Sequence, residues 1–231
     1  MAGLIDLAPA PIAGVIFDFH ATLVDGGDAR GWIGAAVRHL AATGQAAPEL
    51  SEAETESLAG HLDQIWHHAH TIDPRSERDL SPARHREVFR GAAALFPGLK
   101  PDLIAALYAV MTDQWTAYDD TLPVLRELKE RGVRIAVLSN IGIDIRGCLD
   151  RAGLTGLIDG LLLSYEAGVV KPDPAIFARA LELLEVPAER TLMVGDSARD
   201  DVGGAALGIR TLILPRTRGR VHGLSTVLRM V

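Results

Sequence analysis

The sequence predicts an α/β fold: a doubly wound parallel sheet with an all-helical cap inserted after its first strand. Two observations carry this. After residue 119, short apolar runs alternate with amphipathic helical segments at short spacing, which is the pattern of a parallel sheet covered on both faces. Between the first apolar run, at Gly14–Phe19, and the next convincing core strand, at Arg134–Ser139, the chain reads as helix only. The core is therefore placed at 1–25 and 119–231, and the inserted cap at 26–118.

The cap helices follow from their punctuation. The first runs over about 29–43, with Trp32, Ala36 and Leu40 at helical spacing and Gly44 as its stop. The second begins at Ser51, with Glu54 three residues on as a capping box, and carries Leu58, Leu62, Ile65 and Ala69 as an apolar stripe. The third begins at Ser81-Pro82, lines its face with Phe89, Ala92 and Phe96, and ends at Pro97-Gly98. The fourth starts near Pro101 and repeats Leu103, Leu107, Val110, Gln114 and Tyr118. Four amphipathic helices with short joins predict a bundle. In the core, helices are expected at Thr121–Arg131, Ile143–Ala152, from Asp173-Pro174 to about Glu185, and over 200–207. Strands are expected at Arg134–Ser139, Gly160–Ser164, Thr191–Gly195 and Thr211–Leu214.

Bulk composition bounds the function. A chain of 231 residues with 48% hydrophobic content buries a full core and is not disordered. Thirty acidic against 23 basic residues give a net charge of −7, which disfavours a nucleic-acid or anionic-membrane partner but not a small anionic substrate. The single cysteine, Cys148, rules out an intrachain disulfide and reads as a small buried residue. The N-terminal residues lack a signal-peptide pattern, and no apolar stretch approaches the length of a membrane span. A cytoplasmic protein is expected.

Four polar clusters each follow an apolar run: Gly14-Val-Ile-Phe-Asp18-Phe-His20-Ala-Thr22, Val137-Leu-Ser139-Asn140, Val170-Lys171-Pro172-Asp173-Pro174, and Val194-Gly195-Asp196-Ser197 with Asp200-Asp201. In an open α/β sheet the carboxyl ends of the strands face the ligand crevice. A carboxylate, a hydroxyl, a cation and an acidic pair therefore converge from distant parts of the chain. This ordered set resembles the haloacid dehalogenase superfamily, with its Rossmann-like core and mostly phosphatase members. The resemblance covers 14–25 and about 119–231; the cap matches only in placement and helical character.

The resemblance implies roles residue by residue. Asp18 is the expected nucleophile, since a carboxylate attacking phosphorus splits a hard displacement into two easier ones. Asp196 and Asp18 are expected to hold Mg²⁺, with Asp201 or Asp200 supporting it and the backbone carbonyl of His20 as a further ligand. Ser139, with the Asn140 amide, is expected to bind the phosphoryl group. Lys171 is expected to place its charge on phosphate and Asp18, and Thr22 to steady the loop after Asp18.

The sequence departs from the pattern at His20, where a second aspartate acts as acid/base, and at Ala21, where glycine is usual. Imidazole titrates near neutrality, and nearby carboxylates are expected to keep it charged. Three readings stay open: a phosphatase using His20 as acid/base, a site with slow or altered chemistry, and a silent domain that binds a phosphorylated ligand or a protein. Metal-independent dehalogenation is disfavoured, because it leaves the Asp196–Asp201 cluster without a purpose.

Other features read more plainly. Asp63, His67 and His70 stand at i, i+4 and i+7 of the second cap helix and are taken as a polar face rather than a metal site. Trp32, Trp66 and Trp115 are taken as cap packing, and Arg210, Arg216, Arg218 and Arg220 as a solvated edge.

Overall fold

A computed structural model of the protein describes residues 10–217 and 219–231. The central sheet is built from β1 (Gly14–Phe17), β4 (Arg134–Ser139), β5 (Gly160–Leu163), β6 (Thr191–Gly195) and β7 (Arg210–Ile213), in the order β5-β4-β1-β6-β7. Every pairing is parallel: β1 registers Gly14 against Arg134 on one side and against Thr191 on the other. A second, two-stranded antiparallel ribbon joins β2 (Val24–Asp25) to β3 (Thr116–Ala117).

The strands are apolar throughout because both sheet faces are covered. Side chains alternate across a strand, and the alternation sorts the core into two clusters. Val15, Phe17, Ile135, Val137, Leu192 and Val194 join the face that continues into the cap. Ile16, Ala136, Leu138 and Met193 pack on the other face with Ile176, Phe177, Ala180 and Leu184. Those last four belong to α9 (Pro174–Leu184), whose Asp173 cap accepts the Ala175 amide as the sequence predicts. The strand ends β1, β4 and β6 are adjacent, so Asp18, Ser139 and Asp196 emerge side by side.

The segment between the ribbon strands, called the cap here, holds α1 (Ala29–Ala42), α2 (Glu52–Asp63), α3 (Ile65–Ile72), α4 (Pro82–Ala93) and α5 (Pro101–Ala109). Its Ser51–Glu54 capping box and Ser81-Pro82 start form as expected. Four expectations change. The second predicted helix breaks at Gln64, so Asp63 ends one helix while His67 and His70 lie on the next. Residues 26–118 are not all helical, because Thr116–Ala117 pairs with Val24–Asp25; a two-residue strand offers no periodicity to read. The helix expected over 200–207 is a 3-10 helix, Asp201–Leu207. The core helices are α6 (Thr121–Glu130), α7 (Arg146–Arg151) and α8 (Ser164–Ala167) with α9; α7 begins three residues later than its apolar pattern indicated. Cys148 is buried on α7.

The cap is tied to the core beside the strand ends. The Ser164 hydroxyl donates to the Asp79 carbonyl at 2.5 Å. Gly142 sits so close to the cap that a β-carbon there would lie 2.1 Å from the Arg78 carbonyl oxygen and 2.7 Å from His85 Cβ. Only glycine permits that approach. Among the described residues, no helix is long and apolar enough to cross a membrane.

Candidate active site

Lys171 organises the site. Its ammonium reaches Asp18 Oδ1 at 2.7 Å and Asp201 Oδ1 at 2.6 Å, with the side chain only 3% exposed. Burial alone would lower its pKa, but the Asp18 and Asp201 charges outweigh that and hold it above the ordinary lysine value. The Lys171 backbone is clamped by Asn140, whose side chain donates to the Lys171 carbonyl at 2.9 Å and accepts from the Lys171 amide at 2.7 Å. Asn140 was expected to act through its own amide; its side chain positions the lysine.

Asp18 follows β1 directly, and its amide donates to the Val194 carbonyl at 2.8 Å. Its second oxygen accepts from the Thr22 hydroxyl at 3.1 Å, so Thr22 steadies Asp18 itself. Asp201 is fully buried and spends both oxygens within the protein: one on Lys171, the other accepting the Ser197 amide at 2.9 Å. Gly195 makes room for it, since a β-carbon there would lie 2.0 Å from Asp201 Oδ2. Asp200 accepts from the Ser197 hydroxyl at 3.1 Å. Ser139 is buried at the end of β4.

Asp196 has a different electrostatic state. Burial, reinforced by Asp18 and Asp201, pushes its carboxyl up to about 7, against the pull of Lys171. A carboxylate short of positive charge beside the Asp18 carboxylate suits Mg²⁺, which takes one or two carboxylates and fills its remaining positions with water and phosphate. The donor set therefore fits the ion. Among the described residues, no group of three or more His, Cys, Asp or Glu side chains is placed to hold a metal ion, so the fit rests on two carboxylates and a backbone carbonyl.

His20 differs from its expected state. Its ring lies 4.9 Å, centroid to centroid, from Trp115. Burial, with the Arg216 charge adding to it, lowers its pKa to about 4 in spite of Asp25. The imidazole is neutral, not kept charged by carboxylates as the sequence had implied. Ala21, next in the chain, holds a φ of 65°, a left-handed conformation that costs a non-glycine residue roughly 1–2 kcal/mol.

Asp18, His20, Ser139, Asn140, Lys171, Asp196, Asp200 and Asp201 all line one cavity of about 360 Å³. Residues without a motif complete its wall: Trp66, Arg78, Asp79 and His85 from the cap, and Arg216 after β7. Arg216, read as a solvated edge, is exposed and also lines the cavity, 3.9 Å from Asp25. Arg220 pairs with Asp119 at 3.0 Å, Arg210 holds the Ala10 carbonyl, and Arg218 lies outside the described residues.

A model of the haloacid dehalogenase-like hydrolase family matches residues 12–208. The chain belongs to that family. Among curated family relatives, haloacid dehalogenase-like hydrolase domain-containing protein 3 of Danio rerio is 33% identical over 138 residues, 58% of this chain and 57% of that protein. Ribulose-1,5-bisphosphate 5-phosphatase of Halopiger xanaduensis is 34% identical over 139 residues, 59% of this chain and 57% of that protein. The chain thus spans little more than half the length of these relatives. Solved haloacid dehalogenase folds match across the cap as well. An L-2-haloacid dehalogenase superposes with a TM-score of 0.68 at 23% identity, covering 95% of this chain and 98% of that one. A phosphatase of the family from Thermococcus onnurineus superposes with a TM-score of 0.60 at 21% identity, covering 94% and 97%.

The cap side of the cavity carries two opposed titrations. Burial raises Asp79 to about 7 against the pull of Arg78. Burial, with Arg78 adding to it, lowers His85 to about 4. A carboxyl raised above its unfolded value of about 3.9 stabilises the fold at low pH and loses that contribution as pH rises. A histidine lowered below about 6.5 does the reverse. Between about pH 4 and 6.5 the two slopes oppose each other. Asp79→Asn removes one of them, so the variant gains stability relative to the parent as pH rises from about 4 to 7, by at most about 1.4 kcal/mol per pH unit. Urea unfolding of both proteins across that range, with chelator, checks this; parallel curves refute it.

Proposed function

We propose that the chain is a Mg²⁺-dependent phosphatase acting on a small phosphomonoester through an aspartyl phosphate on Asp18. The observation that carries this reading is the Lys171 ammonium held between Asp18 and Asp201, beside an Asp196 carboxyl short of positive charge. A carboxylate pinned by a point cation is oriented for attack, and the same cation meets the incoming phosphate oxygens. Relatives of this chain include a ribulose-1,5-bisphosphate 5-phosphatase and, at 37% identity over 105 residues, a phosphoserine phosphatase of Thermus thermophilus, which supports phosphate esters as the substrate class.

In the first step an Asp18 oxygen bonds phosphorus, the ester P–O bond breaks, and the leaving oxygen takes a proton from water. In the second, water bonds the same phosphorus, the acyl P–O bond breaks, and inorganic phosphate leaves with Asp18 restored. Ser139 and Lys171 hold the phosphoryl oxygens, Asn140 holds the Lys171 backbone and Thr22 holds Asp18. Asp201, engaged by Lys171 and Ser197, is a positioning residue. Asp18, Asp196 and the His20 carbonyl, with Asp200 nearby, would hold Mg²⁺, which would supply charge neutralisation at the phosphate. His20, neutral, is the base for the water of the second step. The test is phosphate release from p-nitrophenyl phosphate and an ester panel, with and without Mg²⁺. His20→Ala is expected to lower kcat by about 10²-fold or more, the scale of placed proton transfer; an undiminished kcat makes His20 a wall residue only.

One observation favours a second reading, dehalogenation. Residue 20 is not a carboxylic acid. In that chemistry Asp18 displaces halide from carbon and water cleaves the resulting ester. Halide release from 2-haloacids without phosphate release from any ester would establish it. Phosphate binding with no turnover of either class would establish a silent domain.

A further inference from the structure

In-line displacement puts the attacking and leaving oxygens on opposite sides of phosphorus. Asp18 attacks from the strand ends of the core, so the leaving oxygen points away from them, toward the cap. On that side the cavity wall is made by Trp66, Ser76, Arg78, Asp79 and His85. An alkoxide is a poor leaving group, and its oxygen needs a proton as the P–O bond breaks. His20 stands on the Asp18 loop, on the core side, and its neutral ring carries no acidic proton at neutral pH.

The other acidic side chains of the cavity are committed. Asp18 is the attacking group, and Asp201 spends both oxygens on Lys171 and the Ser197 amide. Asp200 accepts from the Ser197 hydroxyl, and Asp196 stands with Asp18 as the carboxylate pair suited to Mg²⁺. Asp79 differs from all of these. It is 7% exposed, and among the described residues its carboxyl makes no hydrogen bond; Arg78 Nη2 stands 3.5 Å from Oδ2. The segment that carries it is fixed through backbone instead. The Ser164 hydroxyl holds the Asp79 carbonyl, and Gly142 admits the Arg78 carbonyl beside it. The Asp79 side chain is thus placed at the cavity wall while remaining free to exchange a proton. Burial raises it to about 7 against the pull of Arg78, with Asp73, Asp200 and Lys171 the other charges acting on it. His85, on α4, is neutral. A carboxyl poised near neutrality suits proton transfer at neutral pH.

We propose that Asp79 is the general acid of the first step, a catalytic residue supplied by the cap that protonates the leaving oxygen in place of water. The assignment rests on the phosphatase reading above. As the ester P–O bond breaks, the Asp79 proton passes to the leaving oxygen, the alcohol departs, and Asp79 is left as a carboxylate facing the Arg78 guanidinium. In the second step His20 takes a proton from the attacking water. The cycle closes when His20 loses that proton to solvent and Asp79 regains one. Acid and base are then two residues, one on the cap and one on the core loop.

A leaving group that is stable as an anion needs no proton, which separates an acid from a wall residue. The experiment compares kcat/KM, which reports the first step, for the parent, Asp79→Asn and Asp79→Glu. The substrates are dinitrophenyl phosphate and the alkyl ester that the parent turns over fastest. On the alkyl ester Asp79→Asn is expected to lose about 10²-fold or more, and the ratio of alkyl to dinitrophenyl kcat/KM to fall at least about tenfold. Asp79→Glu keeps a carboxylic acid and is expected to recover part of that ratio. Equal losses on both esters mean a damaged site rather than a missing acid and overturn the assignment. An undiminished rate on the alkyl ester, or a parent that turns over activated aryl esters alone, overturns it too, while leaving the phosphatase reading in place. No phosphate release by the parent from any ester overturns both.

Discussion

Asp18→Asn is expected to abolish phosphate release, with a loss on the order of 10⁴-fold or more in kcat, the scale seen when a nucleophile is removed from a catalytic unit. The structure makes this a clean substitution. Asparagine keeps the shape of aspartate, its carbonyl oxygen can still accept from Lys171 Nζ, and its amide can donate to the Thr22 hydroxyl, replacing contacts of 2.7 and 3.1 Å. The fold is retained and the nucleophile is lost. Removing a negative charge from beneath the phosphate site also leaves Lys171 less fully neutralised, so inorganic phosphate should bind the variant more tightly than the parent. Loss of turnover together with gain in phosphate affinity separates a missing nucleophile from a damaged site, because damage lowers both. Turnover within tenfold of the parent eliminates Asp18 as the attacking group.

The parts of this site that were legible in the sequence are those fixed by strand ends. Asp18, Ser139 and Asp196 each follow an apolar run directly, and a parallel sheet brings such positions to one edge by topology alone. Lys171 was legible through its Pro-Asp-Pro context, which opens α9. The residues that escaped notice reach the cavity by tertiary routes. Arg78 and Asp79 sit in a short 3-10 segment with no motif, and they face the site only because Gly142 and Ser164 draw that segment onto the core. Gly142 was the one available signal, a small residue just past a strand-end cluster, but a single glycine points to no particular partner. The protonation state of His20 was misjudged for a related reason: the sequence showed carboxylates near it, whereas its burial beside Trp115 and the proximity of Arg216 are set by tertiary packing. Helix starts at Ser51 and Ser81 were readable because capping is local chemistry; the break at Gln64 was not, because the apolar stripe continues through it.

Lys171→Met is expected to cost stability more than any surface change, because it removes the one ammonium that joins two buried carboxylates. Methionine has a similar length and adds no polar group, so the packing change is small and the electrostatic change is large. Breaking a buried pair by deleting one partner typically costs about 3–5 kcal/mol. Here two carboxylates are left behind, Asp201 fully buried and Asp18 nearly so. Their escape is protonation, and this fixes the sign of the pH dependence. Burial already holds the Asp201 carboxyl above its ordinary value against the pull of Lys171, and without Lys171 that rise is larger. The variant is then closest to the parent in stability near pH 4, and its deficit grows as pH rises toward neutrality. Urea unfolding between pH 4.5 and 8, with chelator in both samples, measures that deficit directly. Adding Asp201→Asn to Lys171→Met should recover part of it, since one of the stranded charges is then gone and the Ser197 amide keeps an oxygen acceptor. Asp201→Asn alone should be destabilising, because it breaks a 2.6 Å contact to a cation that is still present. A positioning role for Asp201 requires this reversal of sign between the two backgrounds. A deficit that stays flat with pH, or an Asp201→Asn effect that is the same in both backgrounds, would mean that the lysine and its carboxylates are not energetically coupled and that the attack geometry assigned to Asp18 is set by Thr22 and the β1 backbone instead.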